Sequence, residues 1–209
     1  MKVRSPYIVQ TLDVVLNLKP NNYYIMEFIG APTVAEYLSL TGSMATHEII
    51  QLVRHMTMAL IELNSLNIVH RDIKPTSIFF IHTDEGSFLF KLTGFAVSRF
   101  LSEGNLTSSF VGTYGYMAPE AFTDKYDARG DIWSLGMVVL ECALGHRPLR
   151  KSHYDKLIVT KEIFGKLTTI LNQVDIKLRN LLQHMLTEDP NDRFTAKELL
   201  AEVSKEEYN

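Results

Sequence analysis

Residues 70–75 read His70-Arg71-Asp72-Ile73-Lys74-Pro75, a short run in which an acidic and a basic side chain stand two positions apart. Before this run, apolar residues recur every three to four positions from Thr46 to about Leu66, which predicts a long amphipathic helix. After it, Ile78 to Ile81 and Phe88 to Leu92 are short extended runs, and Asp84-Glu85-Gly86 between them predicts a hairpin turn. The charged run therefore lies in the connection between a helix and a hairpin.

The region before residue 30 is rich in short β-branched and aromatic runs. Val14-Val15-Leu16 and Tyr23-Tyr24-Ile25-Met26 flank the turn-like Lys19-Pro20-Asn21-Asn22, which predicts a pair of strands. Thr33 followed by Glu36 matches a capping box, in which the hydroxyl and the carboxylate satisfy each other's free backbone donors. We expect the first helix to begin there.

Helical patterns predominate in the C-terminal half. The segment from Val97 to Tyr116 lacks both periods and is predicted to be a loop. Ile132 to Leu144 is apolar on nearly all sides, which predicts a central helix, and Thr195 with Glu198 forms a second capping box. A further helix is predicted from Ile176 to Leu186, with inward-facing residues Ile176, Leu178, Leu181, Leu182 and Met185.

Five motifs that occur in a fixed order carry a family resemblance. They are residues 70–75, Lys91-Leu92-Thr93-Gly94-Phe95-Ala96, Ala118-Pro119-Glu120, Asp131-Ile132-Trp133-Ser134-Leu135-Gly136 and the segment from Leu181 to Arg193. In that order they resemble the catalytic loop, the metal-binding segment, the end of the activation segment, the central helix and the closing helices of the eukaryotic protein kinase family. The resemblance covers nearly the whole chain. It implies a mainly α fold, the large C-terminal lobe of a protein kinase with a small β remnant of the N-terminal lobe and hinge.

The same resemblance divides the chain at residue 30. Residues 1–30 correspond to a remnant of the small lobe, with two strands and the hinge, and residues 31–209 correspond to the helical large lobe. The family's glycine-rich loop, strand lysine and helix glutamate have no counterpart in this sequence, and Met1 aligns near the start of the family's fourth small-lobe strand. We therefore expect one truncated protein kinase-like domain without most of the ATP-covering lobe.

The resemblance also assigns catalytic roles. In the family, the residue matching Asp72 accepts the proton of the substrate hydroxyl, and the residue matching Lys74 steadies the γ-phosphate. The metal-holding amide and carboxylate are replaced by Ser77 and Gly94. Glycine offers no side-chain ligand, and a hydroxyl is a poorer donor to Mg²⁺ than a carboxylate or an amide oxygen. The sequence therefore predicts no metal site and no tight binding of ATP or Mg²⁺, and Asp72 and Lys74 have an alternative interpretation as a loop-stabilising acceptor and a solvated charge.

Other family positions fall on hinge, regulatory and structural residues. The adenine-contacting hinge and the floor of the adenine site match Met26, Glu27, Ile29 and Phe79. A phosphate close to Arg71, on a residue such as Thr113, would order the activation segment, although hydroxyl-rich sequence is also typical of any exposed loop. Structural roles are implied for a third group: His70, Phe95, Glu120, Asp131 and Arg193. Within this group, the resemblance implies a buried ion pair between Glu120 and Arg193.

The composition of the chain limits the compartments and the classes of partner expected for the protein. The chain has 209 residues, 46% of them hydrophobic, and a net charge of −3, which is typical of one globular domain and favours neither nucleic acid nor membrane as a partner. The single Cys142 cannot form an intrachain disulfide, and no apolar run resembles a signal peptide. The sequence therefore predicts an intracellular, cytoplasmic protein without a transmembrane segment.

Two functions from different classes remain open at this stage. The first is a catalytically impaired kinase-like module, a pseudokinase, that binds a protein partner such as a kinase or another signalling protein. The second is an active Ser/Thr kinase that uses ATP and Mg²⁺, which requires that the missing small lobe lie upstream of Met1. Nucleotide binding without transfer lies between them, and the sequence does not specify an oligomeric state.

Overall fold

The computed structural model describes residues 4–18, 21–83, 86–95, 98–100, 112–122, 127–149 and 159–208. Within these residues the chain forms six α-helices and three two-stranded antiparallel sheets. The strands are β1 (Thr11–Leu18), β2 (Asn21–Met26), β3 (Ile68–Val69), β4 (Ile78–His82), β5 (Phe88–Leu92) and β6 (Arg99–Phe100). The helices are α1 (Val34–Thr41), α2 (Thr46–Ser65), α3 (Ala128–Leu144), α4 (Val159–Leu171), α5 (Ile176–Met185) and α6 (Ala196–Val203).

Helices α2 and α3 form the centre of the core. The predicted stripe of α2 is buried, and α3 is buried on nearly all sides, including the side chain of Trp133. Asp127 caps α3, because its carboxylate accepts a hydrogen bond from the backbone N–H of Arg129 at 2.7 Å. Both predicted helices and the mainly helical fold are confirmed. No helix in the described part of the chain combines the length and apolar character needed to cross a membrane.

The N-terminal strands form a ribbon that is joined to the large lobe by a short extended segment. Strands β1 and β2 pair as predicted, with Val14 opposite Tyr24, and the predicted turn residues Lys19 and Pro20 lie outside the described residues. Upstream of the ribbon, the N–H of Val9 donates to the carbonyl of Leu92 at 2.8 Å. The segment before β1 therefore packs against β5 of the large lobe.

Short sequence patterns correctly predicted the β4–β5 hairpin and the starts of two helices. Strands β4 and β5 pair in antiparallel register, as predicted, although Asp84 and Glu85 of the predicted turn lie outside the described residues. In the first capping box the Glu36 carboxylate accepts from the Thr33 N–H at 2.7 Å, and the Thr33 hydroxyl accepts from the Glu36 N–H at 3.3 Å. The box before α6 has the same two bonds. Both capping boxes are confirmed.

The prediction that Ile176 faces inward is wrong, since its side chain is 60% exposed. The buried residues of α5 are Leu178, Leu181, Leu182 and Met185, which follow the spacing of one helix face. Ile176 precedes Leu178 by two positions, or about 200° around an α-helix, and therefore lies on the opposite side.

Two further elements differ from the sequence prediction. Part of the predicted loop from Val97 to Tyr116 forms the short strand β6, which pairs with β3, and residues 101–111 of that loop lie outside the described residues. A two-residue strand is too short to show periodicity, so only its pairing partner reveals it. Helix α4 was not predicted, although Ile163 and Leu167 are spaced four residues apart and both are buried.

The C-termini of α1 and α3 meet backbone to backbone. Gly42 and Gly145 follow these helices, and both adopt positive φ angles, of 84° and 74°. A Cβ atom placed on Gly145 would lie 2.1 Å from the carbonyl oxygen of Gly42. The N–H of Met44 donates to the carbonyl of Cys142 at 2.9 Å and closes the contact. The close approach of the two helix ends therefore requires a glycine at position 145.

Candidate functional site

The catalytic-loop segment, residues 70–77, is held against the start of α3 by a buried carboxylate. Asp131 is fully buried and accepts hydrogen bonds from the backbone N–H of His70 at 2.7 Å and from that of Arg71 at 2.8 Å. Arg71 has a φ of 68°, which is uncommon for a residue with a side chain. Asp131 therefore fixes the unusual backbone conformation that precedes the candidate catalytic residues.

Substituting Asp131 with asparagine is expected to destabilise the fold. An amide NH₂ would replace one acceptor oxygen and face a buried N–H, which costs about 1–3 kcal/mol of unfolding free energy. Urea unfolding measures this loss, and hydrogen exchange at His70 and Arg71 shows whether it is local. Asp127→Asn is the matched control, because asparagine caps helices as well as aspartate does. Equal losses in the two variants would contradict the role given to Asp131.

The two candidate catalytic side chains bind each other and Thr113. The Lys74 Nζ donates to the Asp72 carboxylate at 2.5 Å and to the Thr113 hydroxyl at 3.0 Å. The Thr113 hydroxyl donates to the other Asp72 oxygen at 2.6 Å. From the sequence, Lys74 was interpreted as a residue that contacts phosphate or as a solvated charge, and Thr113 was interpreted as a regulatory position. The structure brings all three into one hydrogen-bonded group that joins the catalytic-loop segment to the segment starting at residue 112.

The two positions that would hold a metal ion lie side by side, and of the two only Ser77 has a side-chain oxygen. A Cβ atom placed on Gly94, which has a φ of 91°, would lie 3.4 Å from the Cβ of Ser77. The Ser77 hydroxyl donates to the carbonyl of Lys74 at 2.8 Å and accepts from the N–H of the same residue at 2.9 Å. Among the described residues, no cluster of three or more His, Cys, Asp or Glu side chains surrounds a possible metal position. Because Mg²⁺ needs several oxygen ligands, the residues at 77 and 94 do not fit this ion.

His70 links the catalytic-loop segment to the segment containing Gly94. Its ring is buried, and its Nε2 lies 2.9 Å from the carbonyl oxygen of Thr93, while Nδ1 accepts from the Asp72 N–H at 3.3 Å. The Phe95 ring packs edge-on against it, with ring centres 5.0 Å apart. Burial lowers the pKa of His70 below its ordinary value. A neutral imidazole that accepts at Nδ1 and donates at Nε2 satisfies both bonds.

The hinge is attached to the large lobe through Glu27. Its carboxylate accepts from the Gln10 N–H at 2.8 Å and from the Lys91 Nζ at 2.8 Å, and its own N–H donates to the Gln10 carbonyl at 2.9 Å. Burial acts to raise the pKa of Glu27, but the hydrogen bonds from Lys91 and Gln10 outweigh it and hold that pKa below its ordinary value. The family resemblance assigns Glu27 to the adenine-contacting hinge, and neither partner is predictable from the sequence, because Gln10 and Lys91 belong to other segments of the chain.

The other residues that the resemblance assigns to the hinge and to the floor of the adenine site are Met26, Ile29 and Phe79. Met26 is partly exposed, and its sulfur accepts a weak hydrogen bond from the Thr93 hydroxyl at 3.8 Å. Ile29 is half-buried, and Phe79 on β4 is half-buried opposite Lys91 on β5. Met26 and Thr93 bring the hinge close to the segment that contains Gly94.

An ion pair joins the end of the activation segment to the region before α6. Arg193 forms a bidentate pair with Glu120, at 2.5 and 3.1 Å, and its side chain is inaccessible to solvent. The guanidinium also donates to the carbonyls of Thr187 and Arg129 and lies over the Trp133 ring, 5.2 Å from its centre. Glu120 and Arg193 therefore form a buried ion pair.

The fold and these contacts define a protein kinase domain, and comparison with known proteins agrees. The sequence matches the protein kinase domain family over residues 1–203, and the chain belongs to that family. It is similar to mitogen-activated protein kinase kinase 2 of Arabidopsis thaliana, with 31% identity over 197 residues that cover 88% of this chain and 53% of the relative.

Two other similar proteins are a mitogen-activated protein kinase kinase kinase and a serine/threonine-protein kinase. Mitogen-activated protein kinase kinase kinase 4 of Homo sapiens is 33% identical over 207 residues, which cover 95% of this chain and 12% of the relative. Serine/threonine-protein kinase unc-51 of Caenorhabditis elegans is 30% identical over 187 residues, which cover 83% of this chain and 21% of that protein. The chain therefore spans about half of the plant kinase kinase, and smaller shares of these two.

Proposed function

We propose that this chain is a protein kinase domain with little phosphoryl-transfer activity, which acts by binding a protein partner. The observation that carries the proposal is the chemistry of positions 77 and 94. The hydroxyl of Ser77 is engaged by the backbone of Lys74, and Gly94 has no side chain. Gly94 supplies no side-chain oxygen, and the engaged hydroxyl of Ser77 is a poorer ligand for Mg²⁺ than a carboxylate or an amide oxygen.

The expected loss of rate is large. Metal ions supply several kcal/mol of charge stabilisation to phosphoryl transfer. Each ~1.4 kcal/mol corresponds to a tenfold change in rate, so a domain without the metal is slower by orders of magnitude. The hinge side offers little compensation, because Met26 is partly exposed and leaves the adenine half-site open to water.

A second candidate function is an active Ser/Thr kinase, and one observation favours it. Asp72, Lys74 and Thr113 form a complete hydrogen-bonded group at the position of the family's catalytic loop. Activity would further require the glycine-rich loop and strand lysine of the family, and a metal held by groups other than Ser77 and Gly94. We favour the first proposal because of the residue types at positions 77 and 94.

Thermal unfolding in the presence of ATP tests the two candidates. A ligand that binds only the folded state stabilises it by RT ln(1 + [L]/Kd), so the weak binding expected for ATP should raise Tm little, and Mg²⁺ should add nothing. The double substitution Ser77→Asn with Gly94→Asp restores two oxygen ligands and is the matched comparison. A Mg²⁺-dependent rise in the double variant alone supports the proposal.

Two results would contradict it. The first is a Mg²⁺-dependent rise in Tm of the unmodified chain with ATP. The second is transfer of labelled phosphate from ATP to a generic Ser/Thr substrate that Asp72→Asn abolishes, because this would require a working catalytic loop.

A further inference from the structure

Tyr116 fastens the segment that follows Thr113 to helix α3. Its backbone carbonyl accepts a hydrogen bond from the Ser134 hydroxyl at 2.8 Å, and its own hydroxyl donates to the Glu141 carboxylate at 2.6 Å. Burial raises the pKa of the Tyr116 hydroxyl, and the bond to Glu141 acts in the same direction, so the hydroxyl keeps its proton and remains a donor. These contacts fix the position of the Tyr116 ring.

An exposed guanidinium lies over this ring. The central carbon of the Arg147 guanidinium is 5.0 Å from the centre of the Tyr116 ring. A Cβ atom placed on Gly115 would lie 3.2 Å from Cδ of Arg147, so the aliphatic stem of Arg147 packs against the backbone at residue 115. Arg147 is nevertheless exposed to solvent. The ring and the backbone therefore restrict the orientation of a cation that a partner can reach.

The positive charge of Arg147 is not balanced by an ion pair. No ion pair between described residues includes Arg147, and the Glu141 carboxylate is engaged by the Tyr116 hydroxyl. In the sequence, residues 146–156 carry four basic side chains and one acidic side chain, although the whole chain has a net charge of −3. A local excess of positive charge attracts negatively charged partners and excludes positively charged ones.

Arg147 is within reach of the group that contains Asp72. Thr113 bonds to Asp72 at 2.6 Å, and the Tyr116 N–H donates to the Thr113 carbonyl at 3.1 Å, which closes a turn over residues 113–116. The Cα atoms at the two ends of such a turn lie less than about 7 Å apart. With the side chains added, the Asp72 carboxylate and the Arg147 guanidinium are separated by no more than about 20 Å, the length of about six extended residues.

We propose that Arg147 binds a carboxylate of a protein partner, in an extended acidic segment that lies along residues 113–116 between Asp72 and Arg147. The inference rests on the binding role proposed above and gives it a surface and a partner chemistry. A guanidinium can donate two parallel hydrogen bonds to one carboxylate, so an oriented arginine selects an acidic side chain at a defined position of the segment. An arginine that only covers the Tyr116 ring would select none.

Selection from a library of displayed peptides, without nucleotide, tests this proposal. Each peptide carries a central serine, whose hydroxyl can donate to Asp72, and random residues at six positions on either side. We expect the unmodified 209-residue chain to enrich Asp or Glu about fivefold or more at one position. Arg147→Ala should remove this preference, and Arg147→Glu should replace it with a preference for Lys or Arg at the same position, because the charge is reversed.

Affinity for the best selected peptide measures the contact directly. Arg147→Ala is expected to raise Kd about tenfold, the loss typical of one charge-assisted contact, and Arg147→Lys is expected to raise it less, because the charge remains while the fork of donors is lost. Lys177→Glu is the matched control, since it makes the same change of charge as Arg147→Glu at an exposed site on α5 and should leave the selected peptides unchanged. The exposed position of Arg147 predicts that Tm of its variants stays within about 3 °C of the unmodified value.

Three results would overturn the inference. The first is a lack of acidic enrichment by the unmodified chain, and the second is acidic enrichment that persists in Arg147→Glu. The third is binding of anionic lipid vesicles or nucleic acid that Arg147→Glu abolishes while no peptide is selected, which would assign Arg147 to that partner. None of them changes the ATP and Mg²⁺ experiment, so failure of the inference is distinguishable from failure of the proposed loss of metal binding.

Discussion

Substitution of Arg193 by methionine is expected to lower the free energy of unfolding by about 3–5 kcal/mol, because it leaves the carboxylate of Glu120 buried without its cation. The pair is bidentate, and the Arg193 side chain is inaccessible to solvent, so water cannot replace the lost contacts. The carbonyl of Thr187, which accepts from two guanidinium nitrogens, also loses both donors. Methionine keeps most of the side-chain volume, so the loss reports mainly on charge and hydrogen bonding.

Urea unfolding of the variant measures this effect. The matched control is Lys205→Met, which breaks the exposed pair with Glu202 and should change stability by no more than about 1 kcal/mol. The double substitution Arg193→Met with Glu120→Leu removes both charges and should recover part of the loss, since a buried ion pair is often replaceable by apolar residues. If Arg193→Met cost no more than the surface control, the pair would not hold the activation segment to the closing helices.

The second large effect is expected for Gly145→Ala, with a loss of about 2–5 kcal/mol. Part of it, about 1–2 kcal/mol, is the strain of a side chain in the left-handed backbone region, because φ of Gly145 is 74°. The rest arises because the new Cβ would lie 2.1 Å from the carbonyl oxygen of Gly42. Backbone atoms cannot move aside as a flexible side chain does, so α1 and α3 must separate, and overpacking of this kind costs about 1–3 kcal/mol.

Gly86→Ala separates the two contributions. Gly86 has a φ of 75°, close to that of Gly145, but no atom lies within 4 Å of a Cβ placed there. The control variant should therefore lose only the strain, about 1–2 kcal/mol. Chemical denaturation of both variants gives the difference, which measures the contact between the two helix ends. Equal losses in the two variants would mean that this contact yields without cost.

Much of the helical fold could be predicted because its signals are local. The buried stripe of α2 repeats every three to four residues, and the capping boxes at Thr33 and Thr195 need only four consecutive residues. Ile176 shows the limit of this reasoning, because apolar character alone does not decide on which side of the helix a residue at its first turn lies. In the folded chain, the face of α5 that carries Leu178 and Leu182 packs against the core.

The candidate site could be predicted in its residue types but not in its contacts. Motif order predicts that Asp72, Lys74, Ser77 and Gly94 stand at the positions that carry phosphoryl transfer in the family. It did not reveal that Thr113 bonds to both Asp72 and Lys74, or that the Ser77 hydroxyl is engaged by the backbone of residue 74. The attachment of Glu27 to Gln10 and Lys91 carried no sequence signal, because these partners are 17 and 64 positions away along the chain.

The family, the succession of helices and the residue types at positions 77 and 94 follow from the order and chemistry of the residues alone. Those properties depend on side-chain type and on spacing within a turn or a loop. The contacts of Asp72 with Thr113 and of Glu120 with Arg193 join residues 41 and 73 positions apart, and Gly42 and Gly145 are separated by a still longer stretch of chain. Such partners come together only when the whole core packs, so the folded chain had to be seen before they could be named.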